Sequence, residues 1–279
     1  MKTHAYARQA YGRALLLLVL GCAVGIGAHA AEVLKIGGTG AALGTMQVLG
    51  AEFSKSRPEL QVHVLPYIGS TGAIKGVASG AISIGLSGRL AKADEEKLNV
   101  RLLHYAITPL VFAAHAGVKA SGLTRAQVAA IYAGEQTHWQ EGGRIRIILR
   151  PPNETDNSVL KTVSKDISAA LAKALERKGL TSAPTDQDAA DAIESTPGAL
   201  GTTTLSLLVS EKRKLNVLAL DGVMPSTKAL ADGSYPYNKP LYLVVPTSPS
   251  PTVNAFVDFV FSPRGQAILA ANAHLPVKN

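Results

Sequence analysis

Short runs of β-branched and other apolar residues alternate with stretches of helical spacing along the chain, and this alternation points to an α/β fold with mostly parallel strand pairing. The extended runs are Val33–Ile36, Gln61–Leu65, Ile82–Leu86, Arg101–Ile107, Leu110–Ala114, Arg144–Leu149, Asn216–Leu220 and Pro240–Val245. Between them, Leu43 to Lys55 reads as a helix that stops before Arg57-Pro58, because the residue preceding a proline is pushed out of the helical region. Thr124 reads as the N-cap of a helix running to about Ala133, and Asp166 to Lys178 reads as a helix closed by Gly179. Thr108-Pro109 splits the run from Arg101 to Ala116 into two extended pieces, and Tyr235 to Val245 is a second strand punctuated by proline. Two such crossings imply a chain that leaves one lobe, builds another and returns. Lobe I then comprises residues 31–108 plus 239–279 and lobe II residues 109–238, with a small-molecule cleft between them.

Residues 1–30 read as a secretory signal peptide: Lys2, Arg8 and Arg13 without an acid, the apolar run Ala14 to Gly27, then Ala28-His29-Ala30 as a small-residue cleavage site. Leu20-Gly21-Cys22 loosely matches a lipoprotein site, leaving an anchored form through Cys22 as the alternative to a soluble periplasmic or secreted protein. Cleavage after Ala30 removes Cys22, the only cysteine, so stability must come from the apolar core rather than from a disulfide. It also lowers the formal charge from +8 to +5, an excess that favours anionic partners. No basic stripe with interleaved aromatics accompanies that charge, so nucleic acid is not an expected partner.

The segment Gly69-Ser70-Thr71-Gly72-Ala73-Ile74-Lys75-Gly76 carries the most chemical information. A glycine and hydroxyl cluster at the start of a helix leaves backbone N–H groups unpaired and aims them at one point, which makes an anion cradle. A second donor-rich turn, Ser87-Gly88-Arg89, follows one helix and one strand later, and this spacing can bring both turns to the same sheet edge.

Ile36-Gly37-Gly38-Thr39-Gly40, Gly69 to Lys75 and Ile84 to Arg89 resemble, in order, three ligand loops of the type II periplasmic solute-binding proteins, in the branch that contains phosphate receptors of ABC transporters. Ser121-Gly122-Leu123-Thr124, Ile131 to Glu135 and Trp139 are similar to the opening of that family's second lobe, and Tyr235 to Tyr242 to its returning hinge strand. The resemblance spans nearly the whole mature chain. It implies two lobes, each a mixed sheet flanked by helices, joined by two hinge crossings and closing on an oxyanion. It further implies a monomer without cofactor, metal or catalysis, which delivers phosphate or a related oxyanion to an ABC transporter permease. Carried over by position, Thr39, Gly40, Ser70, Thr71 and Ser87 donate from the first lobe, with Gly72 in the same cradle, and Arg150 from the second.

The chain departs from the family pattern twice. An aspartate often follows the third-loop serine, but Gly88 and Arg89 stand there. The second-lobe loop usually continues from its arginine to Ser-Gly-Thr, whereas this chain reads Arg150-Pro151-Pro152-Asn153-Glu154-Thr155-Asp156. Two like charges about 4 Å apart repel by roughly 4 kcal/mol at an effective dielectric near 20, so a dianion cannot sit beside those carboxylates unaided. Either Glu154 or Asp156 accepts a proton from the ligand, or both cap the next helix and leave Thr155, Asn157 or Ser158 to donate, or the site takes another ligand or none. Arg89 is either a ligand group or the partner of Asp94 or Glu95.

Other motifs carry less. Gly38-Thr39-Gly40 to Gly44 imitates a dinucleotide fingerprint, but Gln61 to Pro66 ends without the ribose-binding acid. Gly85 to Arg89 lacks the final glycine of a nucleophile elbow. His63, His104, His115, His138 and His274 show no metal-ligand spacing and read as packed or surface residues. Lys212-Arg213-Lys214 reads as a solvated helix end or a transporter or membrane contact, and Tyr235 and Tyr237 as hinge packing. The expected function is oxyanion capture for an importer; the alternative is an exported sensor or interaction protein on the same fold with a degenerate anion site.

Overall fold

The computed structural model describes residues 32–277. The expected signal peptide, Cys22 and the expected cleavage site near Ala30 lie outside the described residues. The chain opens with β1 (Glu32–Gly38), α1 (Gly40–Ser56), β2 (Leu60–Val64), α2 (Gly69–Ala78), β3 (Ile84–Ser87) and β4 (Val100–His115). It continues through β5 (Gly122–Leu123), α3 (Arg125–Ala133), β6 (Arg146–Leu149), α4 (Thr155–Val163), α5 (Lys165–Glu176), β7 (Thr181–Ser182), α6 (Asp186–Ser195), β8 (Ala199–Thr204), α7 (Leu205–Ser210) and β9 (Leu215–Leu220). It closes with α8 (Thr227–Ala231), β10 (Asn238–Pro246), α9 (Pro251–Phe261), α10 (Pro263–Ala271) and β11 (Leu275–Pro276).

These strands join in one mixed sheet of order β2-β1-β3-β10-β4-β8-β6-β7, with β9 and β11 also pairing β4. The expected mostly parallel pairing needs correction. β1, β2 and β3 are parallel to one another, as are β6, β7 and β8, but the two longest strands, β4 and β10, run antiparallel to their neighbours.

The two extended pieces expected on either side of Thr108-Pro109 are one continuous strand, because the proline falls where β4 changes partners. Val100 to Pro109 pairs with β10, and Leu110 to His115 with β8 and β9. Pro109 has no N–H to contribute, and the ladder resumes when the Leu110 N–H donates to Tyr237 O at 3.1 Å. The Tyr235 hydroxyl donates to Leu110 O at 2.7 Å from a buried position against Tyr237, in agreement with hinge packing.

Each half of the sheet has its own apolar core. Leu34, Ile36, Met46, Phe53, Leu243 and Phe256 fill the first, and Phe112, Ile131, Leu160, Leu171, Leu200 and Leu218 the second. Thr124 makes the expected cap in full, accepting from the Gln127 N–H while Gln127 Oε1 accepts from the Thr124 N–H. α1 begins three residues earlier than its apolar spacing suggests, since the sparse Gly40-Ala41-Ala42 turn is buried rather than a loop. α5 ends at Glu176, before the expected Lys178. Arg213 pairs with Asp191, Glu194 and Glu211, so the basic run at 212–214 is in part an ion-pair network.

This topology gathers the candidate residues. The C-terminal ends of β1, β2 and β3 lie on one edge and lead into Thr39, Tyr67–Thr71 and Gly88-Arg89, while β6 and β7 lead into Arg150–Thr155 and Asp186.

His274 offers a test of the core. It is buried, its Nδ1–H donates to Asn272 O at 2.8 Å, and Nε2 has no partner among the described residues. Burial holds its pKa down at about 4, against backbone hydrogen bonds at Asn272 and Leu269 that act the other way. The folded state then binds fewer protons than the unfolded state between the ordinary histidine value and that depressed one, so stability falls as pH drops from 6.5 to about 4. Urea titrations should show this loss, of order 3 kcal/mol, and His274→Gln should flatten it.

Candidate functional site

A cavity of about 220 Å³ opens between Thr39, Tyr67, Ile68, Gly69, Ser70, Thr71, Arg89 and Lys92 on one side and Asn153, Glu154 and Thr155 on the other. α2 starts at Gly69 without a side-chain cap, so the N–H groups of its first turn, which have no partner within the helix, lie at this wall. The Ser70 hydroxyl accepts from the Gly88 N–H at 2.9 Å and ties the second turn to the third. Gly72 sits further along α2 and does not line the cavity.

Arg89 reaches this wall but is already committed. Its Nη1 and Nη2 donate to the two carboxylate oxygens of Glu95 at 2.6 and 2.8 Å, and Nη2 also donates to Thr71 Oγ1 at 2.7 Å. The fork of the Arg89 guanidinium, against the opposing effect of burial, holds the Glu95 carboxyl at a pKa of about 2. Of the two open alternatives, the ion pair with Glu95 is therefore made. Ser87 is fully buried, and its hydroxyl donates to Arg89 O at 2.6 Å, bracing the loop rather than facing the cavity.

Arg150 is buried behind the cavity among carboxylates. Its Nη1 donates to Ala183 O at 2.8 Å and Nη2 to Glu154 Oε2 at 3.3 Å. Asp186 Oδ1 and Asp156 Oδ2 each approach the guanidinium at 3.8 Å, and Nε has no hydrogen-bond partner among the described residues. Nearby, the buried ammonium of Lys239 on β10 donates to Asp156 Oδ1 and to Asp186 Oδ1, both at 2.8 Å. Two cations thus face three carboxylates. Burial opposes the charge on Lys239, but Asp156 and Asp186 outweigh it and raise its pKa. For Asp186 burial again opposes ionisation, and Lys239 and Arg150 outweigh it, so its pKa is lowered.

Of the three open alternatives for Glu154 and Asp156, capping of the following helix is not the one the structure makes. Glu154 occupies the N-cap position of α4 without a side-chain cap bond, because its carboxylate instead takes Arg150 and, at 3.5 Å, the Tyr67 hydroxyl. Burial and then the Glu154 charge push the Tyr67 hydroxyl up to about 12. Asp156 turns into the interior towards Lys239, leaving Glu154 as the carboxylate on the cavity wall. Thr39 and Thr155 line the cavity, whereas Gly40, Ser87, Arg150 and Asp156 lie outside its lining.

Sequence reading missed Asp186 and Lys239. Asp186 sits inside the Thr185–Asp188 capping box of α6, where an acid needs no further explanation. Lys239 does carry a signal, because it falls on the same strand face as Leu241 and Leu243, an inward position for a charged residue. Gly88 lies beside it: a Cβ there would stand 3.1 Å from Lys239 Cε, so the glycine leaves room for the lysine stem.

The PBP superfamily domain matches residues 25–264. The chain belongs to this superfamily. The "Phosphate-binding protein PstS" of Bacillus subtilis is 25% identical over 210 residues, 73% of this chain and 66% of that protein, so the match spans just under two thirds of the relative's length. The "Phosphate-binding protein PstS" of Borreliella burgdorferi is 23% identical over 217 residues, 75% of this chain and 78% of that protein. Among solved structures, a putative phosphate ABC transporter substrate-binding protein from Clostridium perfringens, with bound phosphate, superposes with a TM-score of 0.74. That match has 19% identity and covers 88% of this chain and 100% of the other, a likeness of fold.

The ion cluster makes a stability test. Lys239→Met strands Asp156 and Asp186 in the interior with only Arg150 to balance them, and chemical denaturation should show a loss of about 3–5 kcal/mol. Arg264→Ala, which removes an exposed pair with Glu52, should cost less than about 1 kcal/mol.

Proposed function

We propose that this chain is an exported substrate-binding protein that captures an inorganic oxyanion, phosphate foremost, and presents it to the permease of an ABC importer. The cavity at the uncapped start of α2 carries this reading, with the Ser70 and Thr71 hydroxyls and the Lys92 ammonium beside it. Membership of the superfamily and the phosphate-binding relatives support it. Ser70, Thr71 and Thr155 contact the ligand in this reading, while Thr39, whose hydroxyl is given to Asp186, and Gly40, Gly72, Ser87, Arg89, Arg150 and Asp156 hold the surrounding frame. The lobes are residues 31–108 plus 239–279 and residues 109–238, and closing them encloses the anion. Cleavage near Ala30 releases the mature monomer, which performs no chemistry on its cargo.

Glu154 supplies selectivity in this proposal. A carboxylate on the wall accepts a proton from hydrogen phosphate and repels fully ionised sulfate.

A second reading, a sensor or interaction protein with a degenerate site, draws on the neutralisation of Arg150 by carboxylates. Thermal melts with millimolar phosphate, arsenate, sulfate and molybdate separate the two. A ligand at 100 times its dissociation constant adds about 2.7 kcal/mol, a rise of roughly 5–10 °C for a domain of this size. The absence of a shift with every anion would sink the receptor reading. Glu154→Gln should narrow the preference for phosphate over sulfate, measured by calorimetry at pH 8; an unchanged ratio would remove Glu154 from that role.

A further inference from the structure

The N-terminus of α1 is the part of the site that most resembles an occupied anion site, and its occupant belongs to the chain itself. The Asp186 carboxylate lies against the first turn of α1, where it accepts from Thr39 Oγ1 at 3.4 Å and from the Lys239 ammonium at 2.8 Å, with the Arg150 guanidinium 3.8 Å away. A helix N-terminus, a hydroxyl and two cations converging on one carboxylate is the donor set of an oxyanion site. The approach is close: a Cβ at Gly40 would stand 2.7 Å from Asp186 Cβ. Next to it, the buried Arg150 Nε has no hydrogen-bond partner among the described residues, so the guanidinium retains donor capacity that the three carboxylates do not use.

We infer that Asp186 is a specificity-determining residue, a built-in anion that fills the oxyanion position at the N-terminus of α1 and confines exogenous anions to the neighbouring cradle at Gly69–Thr71. The inference deepens the receptor reading and rests on it for the nature of the ligand. Thr39 belongs to β1–α1, Lys239 to β10, and Asp186 and Arg150 to the other half of the sheet. Asp186 therefore links the two halves without any added ligand. An incoming dianion must displace this carboxylate or stop short of Arg150. The fit of Lys239 over Gly88 supplies the second cation, so the glycine and the internal carboxylate form one arrangement.

Asp186→Ala vacates the position, and Asp186→Asn keeps its shape while removing the charge. In low-salt buffer Asp186→Ala should melt below the wild type, and millimolar formate, a free carboxylate, should restore it while leaving the wild type unmoved. Calorimetry should find phosphate or sulfate bound about tenfold tighter by the variants than by the wild type. Equal formate shifts in wild type and variant, or variants that bind both oxyanions no tighter than the wild type, would overturn the inference. If Asp186→Ala fails to fold, Asp186→Asn decides alone: tighter oxyanion binding supports the built-in anion, and unchanged or weaker binding refutes it. A wild type that binds no oxyanion beside variants that do leaves this inference standing and removes the receptor reading. A wild type that binds phosphate beside variants that bind no tighter does the reverse.

Discussion

The ammonium of Lys239, buried between Asp156 and Asp186 at 2.8 Å from each, fixes the relation among the elements that build the site. A buried cation is costly unless its charge and all its donors are answered, so it restrains the strand that carries it and the helices that answer it. β10, α4 and α6 are drawn to one point. Arg150, on the loop between β6 and α4, joins the same cluster through Glu154 and more distantly through Asp156 and Asp186. The cavity lies against this cluster, and its polarity follows from which charges remain uncommitted.

Those commitments divide the site into two unlike parts. At the start of α2, the first-turn N–H groups and the Ser70 hydroxyl face a small cavity. At the start of α1, the Thr39 hydroxyl already holds Asp186, which packs against Gly40. Two helix N-termini at one sheet edge have the same intrinsic preference for anions, and the difference between them is supplied wholly by which side chain from the far half of the sheet arrives at each.

The alternation of apolar runs and the cap at Thr124 were legible in the sequence because each is a local signal with a local cause. β8 was not, since Ala199-Leu200-Gly201-Thr202-Thr203-Thr204 lacks the usual β-branched apolar content and becomes a strand through pairing with β4 and β6. The continuity of β4 through Pro109 was hidden for a related reason. A proline looks like a break until the change of pairing partner at that residue is known.

From the sequence came the class of fold, the order of the glycine and hydroxyl turns, and their gathering at one edge, because strand and helix periodicities and N–H geometry are properties of short segments. The tertiary structure decided which charges meet. Residues 156, 186 and 239 are far apart in the chain, and nothing local to Asp186 or Lys239 reveals that each completes the other. Coulomb interactions between buried groups depend on distance and desolvation, and both are set only when the halves of the sheet pack.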